Sequence, residues 1–345
     1  MRRTFDIPEA TRDAIARMPK TELHLHLDGT IEPEMKLALA QRNGIDIGQA
    51  TVEEVVATFT FNNLPTFIAA YNSAQIVLRT SQDFEDLAYA YLRTSAEQNV
   101  RHAEMFFDPQ LHTGRGIPFG NIVGGYRRAI LRANAEFGIT AELIMCFVRD
   151  YTAEFAMATL MEALPYREWI IGIGLDSLEK NNPPDKFREV YDRARREGFL
   201  LTFHSDLEQE DQLEHLRQGV IELGANRVDH GLHVLDSEEL MTLASERRIG
   251  FTATPLGYAI FTATMKMPEI RALLEAGVPV SVGADDPAFF GGYLSEVLEA
   301  CVEVGGMGLP DLVQLQRNAI ETAWVSERRR DELRNELEAF AATLG

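Results

Sequence analysis

The chain alternates short apolar runs with longer stretches in which apolar residues recur every three to four positions. The first pattern is typical of buried strands, and the second of amphipathic helices that pack on a sheet. Strands are predicted at residues 22–27, 101–107, 140–148, 170–175, 200–205, 227–232, 250–254 and 279–284. Helices are predicted at residues 83–98, 121–137, 185–198, 208–223, 237–246 and 268–276. This order indicates an α/β fold whose parallel strands are joined by crossover helices.

The number of βα units favours a closed sheet. Eight units close naturally into a (β/α)8 barrel. The alternative is an open, doubly wound sheet, which usually carries a glycine-rich phosphate-binding turn after its first strand, and no such turn follows residues 22–27. We expect one domain over residues 1–345, with a mostly helical insertion at residues 31–78 over the barrel mouth. A charged helix at residues 310–345 would close the chain, with residues 327–332 as a solvent-exposed face.

Composition narrows the class of partner. The 345 residues carry a net charge of −20, and 46% of them are hydrophobic. Nucleic acids and anionic membranes bind clustered Lys and Arg, so we expect a small-molecule partner; the oligomeric state is not indicated. Cys146 and Cys301 lie far apart in apolar runs, which argues against a disulfide framework and favours the cytoplasm. The charged residues 1–20 do not form a signal peptide, and no window approaches the ~20 apolar residues of a membrane span.

A pair of histidines provides the first candidate for chemistry. Residues 21–30 read Thr-Glu-Leu-His-Leu-His-Leu-Asp-Gly-Thr. Side chains two positions apart on a strand point to the same face, so His24 and His26 would project together. Two adjacent imidazoles are half of a metal site. The alternative, two structural histidines in a core, would need hydrogen-bond partners for four ring nitrogens.

Further polar residues stand where the predicted strands end. In a barrel the reactive side chains gather at the C-terminal ends of the strands, where this chain has His204, His230, Asp285 and Asp286. Three histidines and one carboxylate suit zinc or a similar divalent ion with a position left for water. His230 and Asp285 would orient or deprotonate that water. The alternative for the adjacent aspartates is a helix N-cap with a solvated neighbour.

Several motifs together resemble those of the adenosine and adenine deaminases of the amidohydrolase superfamily. The resemblance covers nearly the whole chain and rests on residues 19–30, Arg-Val-Asp-His-Gly at 227–231 and Ala-Asp-Asp-Pro-Ala at 284–288. Other stretches are closer to the adenine branch than to the nucleoside branch, at residues 61–64, 106–110, 112–116, 174–177 and 285–293. The family has the barrel fold that the pattern of strands predicts.

The resemblance implies a zinc-dependent deamination in which hydroxide attacks C6 of an aminopurine and ammonia leaves. His230 would activate the water, Asp286 would hydrogen-bond a purine ring nitrogen, and Ser177 falls where the family contacts the base. Asp28 belongs to the same substrate-binding end; at this position the adenine branch tends to carry glutamate and the nucleoside branch aspartate. Ligand type alone does not separate zinc from iron or manganese. One ion per chain would be held by His24, His26, His204 and Asp285.

Departures from the family pattern fall at the presumed substrate end. The family reads His-Ala-Gly-Glu after its fifth strand, whereas residues 204–207 read His-Ser-Asp-Leu. The glutamate that protonates the purine ring is therefore replaced by Leu207, and a general acid is typically worth about 10² to 10⁴ in rate. Asp206 or Glu208 would have to substitute, with Glu208 our candidate; alternatively both are ordinary charges at a helix N-terminus. Residues 254–258 also depart, with Thr-Pro-Leu-Gly-Tyr in place of Cys-Pro-x-Ser-Asn.

Three functions remain open from the sequence. The first is a zinc-dependent hydrolytic deaminase of adenine or a related aminopurine. The second keeps the metal chemistry but acts on another heterocyclic amine or a ring amide, because the acid at position 207 is lost. The third is a catalytically silent protein that binds a purine-like ligand. The complete set of predicted ligands argues against the third, and we expect the first.

Overall fold

The computed structural model describes residues 2–205 and 211–344. All strand pairings in these ranges are parallel, in the orders β1-β2-β3-β4-β5 and β6-β7-β8-β9. The strands are β1 (Lys20–Glu22), β2 (Val100–Phe107), β3 (Thr140–Val148), β4 (Ile170–Asp176), β5 (Leu200–Leu201), β6 (His204–Ser205), β7 (Arg227–His230), β8 (Gly250–Ala253) and β9 (Val280–Val282).

Backbone hydrogen bonds join the two sheets into one ring. β5 and β6 are two pieces of a single barrel strand, because the Asp229 N–H donates to the Phe203 carbonyl between them at 2.9 Å. At the other seam, the Asp285 N–H donates to the His24 carbonyl at 3.0 Å and the His26 N–H donates to the Asp285 carbonyl at 2.9 Å. The (β/α)8 barrel is confirmed, and the open-sheet alternative is wrong.

The predicted strands match the observed ones except at their ends. The first strand begins earlier and is shorter than residues 22–27, and isolated bridges at Leu25 and His26 continue its path. The sixth predicted strand, which is β7 in the structure, ends at His230 rather than at residue 232. Gly231 adopts a left-handed conformation with φ of 68°, and a 3₁₀ turn follows. The C-terminal ends of both strands fall at the barrel mouth, where the backbone leaves the sheet and carries site residues.

Helices follow nearly every strand, and no helix of the described residues is long and apolar enough to span a membrane. Short 3₁₀ or π-helical segments lie at Asp28–Thr30, Gln75–Val77, Leu164–Trp169, Pro184–Phe187, Gln218–Glu222, Leu232–Asp236 and Ala342–Leu344. The α-helices are α1 (Glu9–Arg17), α2 (Pro33–Asn43), α3 (Val52–Ala57), α4 (Leu64–Ala74), α5 (Ser81–Glu97), α6 (Pro109–Thr113), α7 (Phe119–Phe137), α8 (Ala153–Ala163), α9 (Arg188–Arg196), α10 (Gln212–Arg217), α11 (Glu238–Arg247), α12 (Pro255–Phe261), α13 (Met267–Glu275), α14 (Pro287–Phe290), α15 (Leu294–Glu303), α16 (Leu309–Thr322) and α17 (Glu327–Ala341).

The insertion after the first strand is helical, as predicted, and consists of α2, α3 and α4. Helix α4 starts with a capping box in which the Asn63 side chain accepts from the Thr66 N–H and Thr66 bonds back. Its buried side chains include Phe67 and Tyr71, which lie on the wall of the cavity at the barrel mouth. The insertion therefore contributes directly to the candidate site.

The C-terminal segment was predicted as one helix and is instead two, α16 and α17. Trp324 lies between them, only 8% exposed, and stacks on the Arg227 guanidinium 4.2 Å from the ring centroid. A Cβ at Gly172 would lie 2.2 Å from the Trp324 ring, so the glycine gives the indole its space. Ser326 then caps α17 by accepting from the Arg329 N–H. A buried tryptophan and a new cap break the segment where the charge pattern alone shows no interruption.

The charged run at residues 327–332 was interpreted as a solvent-exposed face, which is only partly right. The Arg328 side chain is 91% exposed, but that of Arg330 is only 15% exposed. Arg330 donates to the carbonyls of Ile320 at 2.8 Å and Ala323 at 3.1 Å. These bonds satisfy carbonyls at the C-terminal end of α16 and hold the two helices together.

Candidate active site

Four side chains from three parts of the barrel converge at its C-terminal mouth. His24 Nε2 lies 3.3 Å from Asp285 Oδ1, and His26 Nε2 lies 3.5 Å from the same oxygen. His26 Nε2 also lies 3.1 Å from His204 Nε2. All four side chains are buried. Three imidazole nitrogens facing each other and one carboxylate oxygen form a donor set suited to a divalent cation.

Hydrogen bonds fix which nitrogen of His24 faces this set. The Thr252 hydroxyl donates to Asp229 Oδ1 at 3.0 Å, so its oxygen is available to accept from His24 Nδ1, 2.7 Å away. With its proton on Nδ1, His24 keeps the lone pair on Nε2. That nitrogen is buried and has no hydrogen-bond partner among the described residues. An orphaned nitrogen of this kind fits a metal ligand, because a bound cation would satisfy it.

One buried carboxylate, Asp229, supports two of the histidines. Its Oδ1 accepts from Thr252 beneath His24, and its Oδ2 accepts from the Thr202 hydroxyl at 2.6 Å. The same Oδ2 lies 3.6 Å from His204 Nδ1. Carboxylates behind ligating histidines orient the rings and raise their basicity. This role of Asp229 was not predicted, although the residue belongs to the family-like motif at residues 227–231.

The protonation states also suit a cation. Burial lowers the pKa of His26, His204 and His230, so these imidazoles are neutral near pH 7. Burial alone would raise the pKa of Asp285. The neighbouring histidines, His24 first among them, outweigh this effect and lower the pKa overall. Neutral imidazoles beside an ionised carboxylate are the forms that bind a metal ion.

His230 lies beside the proposed ligands, and one of its ring nitrogens falls within 4.8 Å of ligand atoms of His24 and Asp285. Its ring centroid lies 4.6 Å from that of His24. On its other side, Nδ1 lies 3.1 Å from the Thr254 hydroxyl and 3.2 Å from the Tyr258 hydroxyl. Tyr258 belongs to the segment that departs from the family pattern, and its contact with His230 was not predicted. The ring is held from behind with its edge toward the cation site, as expected for a group that moves a proton there.

Three of the predicted site residues have a strained backbone. Ser177, His230 and Asp285 adopt left-handed φ values of 72°, 63° and 63°. Non-glycine residues rarely adopt this conformation, which typically costs about 1–3 kcal/mol and is retained mainly at functional sites. His230 is the last residue of β7, Ser177 directly follows β4 and Asp285 comes shortly after β9, so each left-handed residue redirects the chain as it leaves the sheet.

Asp286 occupies space left by a glycine in the opening motif. A Cβ at Gly29 would lie 2.0 Å from Asp286 Oδ1 and 2.9 Å from Asp286 Cα. Burial, and then the charge of Asp285, raises the pKa of Asp286 well above its ordinary value. Its Oδ1 has no hydrogen-bond partner within the described part of the chain, and the residue lies on the cavity wall. Asp286 is thus suited to exchange a hydrogen bond with a ligand ring nitrogen.

The cavity at the mouth is lined by both aromatic and acidic side chains. Helix α4 contributes Phe67 and Tyr71. Asp108 follows β2, Asp176 ends β4, and Glu179 comes three residues later; all three lie on the wall. None of the three was predicted from the sequence, although Asp108 and Asp176 directly follow predicted strands and belong to the family-like motifs at residues 106–110 and 174–177. Apolar walls with a few polar groups at fixed positions are typical of small-molecule sites.

Comparison with known proteins identifies the family. The family model described as adenosine deaminase matches residues 19–340. The chain belongs to the adenosine deaminase family. A relative in this family, an uncharacterised deaminase of Schizosaccharomyces pombe, is 45% identical over 95% of this chain and 97% of its own length. An adenine deaminase of Trichlorobacter lovleyi is 41% identical over 96% of this chain and 95% of its own length.

Two solved structures share the whole architecture. An adenine deaminase from Arthrobacter aurescens superposes with a TM-score of 0.90 at 34% identity, covering 94% of this chain and 99% of that one. An amidohydrolase from Burkholderia ambifaria was solved with bound Zn. It superposes with a TM-score of 0.88 at 29% identity, covering 99% of this chain and 97% of that one. The resemblance seen in the sequence motifs is confirmed at the level of family and fold.

The residues expected at the substrate end of this deaminase do not all line the cavity. Ser177 is on the cavity wall. Asp28 is fully buried behind the wall, where it bonds His112 Nε2 at 2.9 Å and accepts from the Tyr126 hydroxyl at 3.2 Å. The direct substrate contact predicted for Asp28 therefore does not fit, because its oxygens face α6 and α7. Glu208, the candidate substitute acid, lies outside the described residues, as do Asp206 and Leu207.

Replacing Gly29 with alanine is expected to lower kcat/KM about 10²-fold, because the added Cβ overlaps Asp286 and forces it away, and misplacements of about 1 Å carry losses of this size. Gly124→Ala is the matched control, since a Cβ there meets only the tip of Arg128 at 3.8 Å. Ammonia release measures both variants. Wild-type activity in Gly29→Ala would remove Asp286 from the substrate contacts.

A buried acid beneath the site makes stability depend on pH. Glu22 accepts from the Tyr91 hydroxyl at 2.7 Å and from the Ala284 N–H at 3.0 Å, yet burial raises its pKa to about 7. Its ordinary value is 4.5, so the folded state holds this proton more tightly than the unfolded state. The resulting stabilisation is complete below pH 4.5 and is lost as the pH rises to about 7.

Glu22→Gln should remove this dependence, because glutamine resembles the protonated acid. We expect the variant to match the wild type at pH 5 and to exceed it at pH 8 by roughly 3 kcal/mol, the free energy that corresponds to the shift in pKa. Urea unfolding of both proteins at the two pH values measures the difference. An equal difference at both values would contradict the assignment.

Proposed function

We propose that the protein is a hydrolytic deaminase that uses one zinc ion per chain to release ammonia from adenine or a related aminopurine. The observation that carries the proposal is the cluster at the barrel mouth, in which the Nε2 atoms of His24 and His26 lie within 3.5 Å of one Asp285 oxygen and His204 Nε2 lies 3.1 Å from His26 Nε2. Similarity to adenine deaminases at 41% and 34% identity supports an aminopurine as the substrate. We further propose that residues 1–345 form one domain, with residues 31–78 as its cap.

We propose His24, His26, His204 and Asp285 as the metal ligands. The unpartnered Nε2 of His24 and the neutral state of the other two histidines fit a cation at this position. The ion would supply a water molecule acidic enough to act at neutral pH, since a bound cation can lower the pKa of water from about 15.7 to about 7. Zinc is preferred to other divalent ions because the Burkholderia ambifaria relative was solved with Zn.

The side chains around the ion would hold the substrate and move protons. His230, neutral because it is buried, would take a proton from the attacking water and pass one to the departing amine. Water adds at the ring carbon, the C–N bond breaks, and ammonia leaves. Asp286 and Ser177 would position the base from the cavity wall. Glu208 remains the candidate for the acid that Leu207 cannot provide.

A second substrate class is favoured by buried residues next to the catalytic groups. Tyr258 bonds His230, and the adjacent Gly257 packs closely against Asp285, since a Cβ there would lie 3.2 Å from Asp285 Oδ2. Together with Leu207 these residues replace polar family positions. A heterocyclic amine or ring amide that needs no acid at position 207 would be compatible with these replacements.

Ammonia release from a panel of compounds tests the function. The panel contains adenine, adenosine, N6-substituted adenines, pterins and triazines, each offered to chelator-treated protein and to protein restored with zinc. We expect zinc-dependent release from adenine or an N6-substituted adenine. Release only from pterins or triazines would favour the second substrate class, and no release from any compound after zinc restoration would contradict a deaminase.

A further inference from the structure

A network of hydrogen bonds joins the end of the first strand to the cap. Asp28 Oδ2 lies 2.9 Å from His112 Nε2, and His112 Nδ1 lies 2.6 Å from a guanidinium nitrogen of Arg115. The same guanidinium nitrogen donates to the Gln75 carbonyl at 3.1 Å. Asp28 and His112 are both buried. His112 and Arg115 belong to the family-like motif at residues 112–116, for which no role was predicted from the sequence.

The chemistry of arginine fixes the direction of each bond in this network. A guanidinium group only donates, so His112 Nδ1 accepts from Arg115 and the ring proton lies on Nε2. His112 therefore donates to Asp28, whose other oxygen accepts from the Tyr126 hydroxyl at 3.2 Å. With both oxygens bonded, the Asp28 carboxylate is held in one orientation by side chains from α6 and α7.

Asp28 lies in the turn that packs against Asp286. The 3₁₀ segment Asp28–Thr30 contains Gly29, and a Cβ on Gly29 would lie 2.0 Å from Asp286 Oδ1. Because the backbone of the turn and this carboxylate are so close, a shift of the turn displaces Asp286. The network therefore acts on a proposed substrate contact through the turn that lies between them.

The nearest proposed metal ligand is held by separate bonds. The His26 N–H donates to the Asp285 carbonyl, and the Leu27 N–H donates to the Phe106 carbonyl, both at 2.9 Å. These bonds belong to the barrel and do not involve the side chain of Asp28. Release of the Asp28 carboxylate should therefore move the turn and leave His26 in place.

Helix capping is the competing explanation, because Arg115 Nε donates to the Leu111 carbonyl of α6 at 2.9 Å. The bond to Gln75, which directly follows α4, also satisfies a carbonyl at a helix end. Capping does not account for the bond to His112. That bond satisfies no helix end, and it sets the tautomer that donates to Asp28.

We propose that Arg115 and His112 are positioning residues of the deaminase, which act through Asp28 to hold Asp286 in place for the substrate. The inference rests on the proposed function, in which Asp286 positions the base. The motif at residues 112–116 then serves substrate binding, although Arg115 and His112 do not line the cavity.

Arg115→Met tests the inference on full-length, zinc-loaded protein with adenine as the substrate. We expect KM to rise about 10-fold while kcat stays within about threefold of the wild type, because a substrate contact is displaced while the reacting groups keep their places. Zinc content should stay at the wild-type level, since His26 is held by the barrel. Arg128→Met is the matched control and should keep the wild-type KM. Arg128 also donates to backbone carbonyls, those of Gly124 and Ser81, but does not line the cavity.

Two substitutions of His112 separate positioning from packing. His112→Gln keeps one donor and one acceptor, whereas His112→Leu fills the space with neither. We expect His112→Leu to raise KM as Arg115→Met does and His112→Gln to stay closer to the wild type. Thermal unfolding measures the stability of every variant. An unchanged KM in Arg115→Met, or an equal rise in KM in both His112 variants, would overturn the inference.

If the wild type releases ammonia from no compound of the panel, the proposed function fails separately. Crystal structures of the wild type and Arg115→Met then decide whether the network holds Asp286. Displacement of Gly29 and Asp286 in the variant supports this role, and unchanged positions overturn it.

Discussion

Asp285→Asn is expected to lower turnover about 10³-fold and to leave well under one zinc ion per chain after dialysis. The candidate site has one carboxylate among its four ligands, and Asp285 Oδ1 lies within 3.5 Å of Nε2 in both His24 and His26. Losing this negative charge weakens the hold on the cation, whose contribution to such reactions is several kcal/mol, and each 1.36 kcal/mol is tenfold in rate.

Asparagine is the appropriate replacement because the backbone must be preserved. Asp285 has a φ of 63°, a conformation that asparagine tolerates better than alanine does, and its N–H and carbonyl close the barrel against His24 and His26. Atomic absorption gives the metal content, ammonia release gives the rate, and thermal unfolding of the zinc-free proteins checks the fold. Wild-type activity with one zinc retained would remove Asp285 from the site.

The barrel could be predicted from the sequence because its determinants are local. Each strand is a short apolar run, each helix has its own periodicity, and eight such units have few ways to close. The errors occur where distant contacts decide. Trp324 is buried against Arg227 from another part of the chain, and this contact divides the predicted C-terminal helix in two. Nothing near Trp324 in the sequence indicates its partner.

The candidate metal site could be predicted for a similar reason. The alternation around His24 and His26 sets their common face, and the rule that barrel sites lie at strand ends brings in His204, His230 and Asp285. These residues need only the fold to be brought together. Their proximity in the structure follows from strand order and register.

The supporting residues could not be predicted, because their roles depend on side-chain direction. Asp28 follows the histidine pair, but the Asp28–Thr30 turn directs its carboxylate toward His112 and Tyr126, away from the cavity. Asp229 lies within β7 and meets Thr202 and Thr252 only because the neighbouring strands have that register. Nothing in the sequence indicates that the hydroxyls of Thr202 and Thr252 donate to the same carboxylate.

His230→Gln is expected to reduce kcat about 10² to 10⁴-fold while the zinc content stays at the wild-type level. The residue lies next to the ligand set, with its Nδ1 near the hydroxyls of Thr254 and Tyr258, so its loss should remove proton transfer and leave the ion in place. The comparison of metal content with rate separates this role from that of Asp285. Tyr258→Phe, which removes only one supporting hydroxyl, serves as the milder companion variant.

The pH profile adds a second measurement of the same group. Burial lowers the pKa of His230 well below its ordinary 6.5, so the base is already deprotonated at neutral pH. The wild-type rate should therefore be flat above pH 6.5 and fall only in more acidic solution, as the imidazole gains a proton. His230→Gln should retain its small residual rate without that fall, measured over the range in which zinc stays bound. If the variant keeps both the wild-type rate and the acidic fall, the proton is moved by another group.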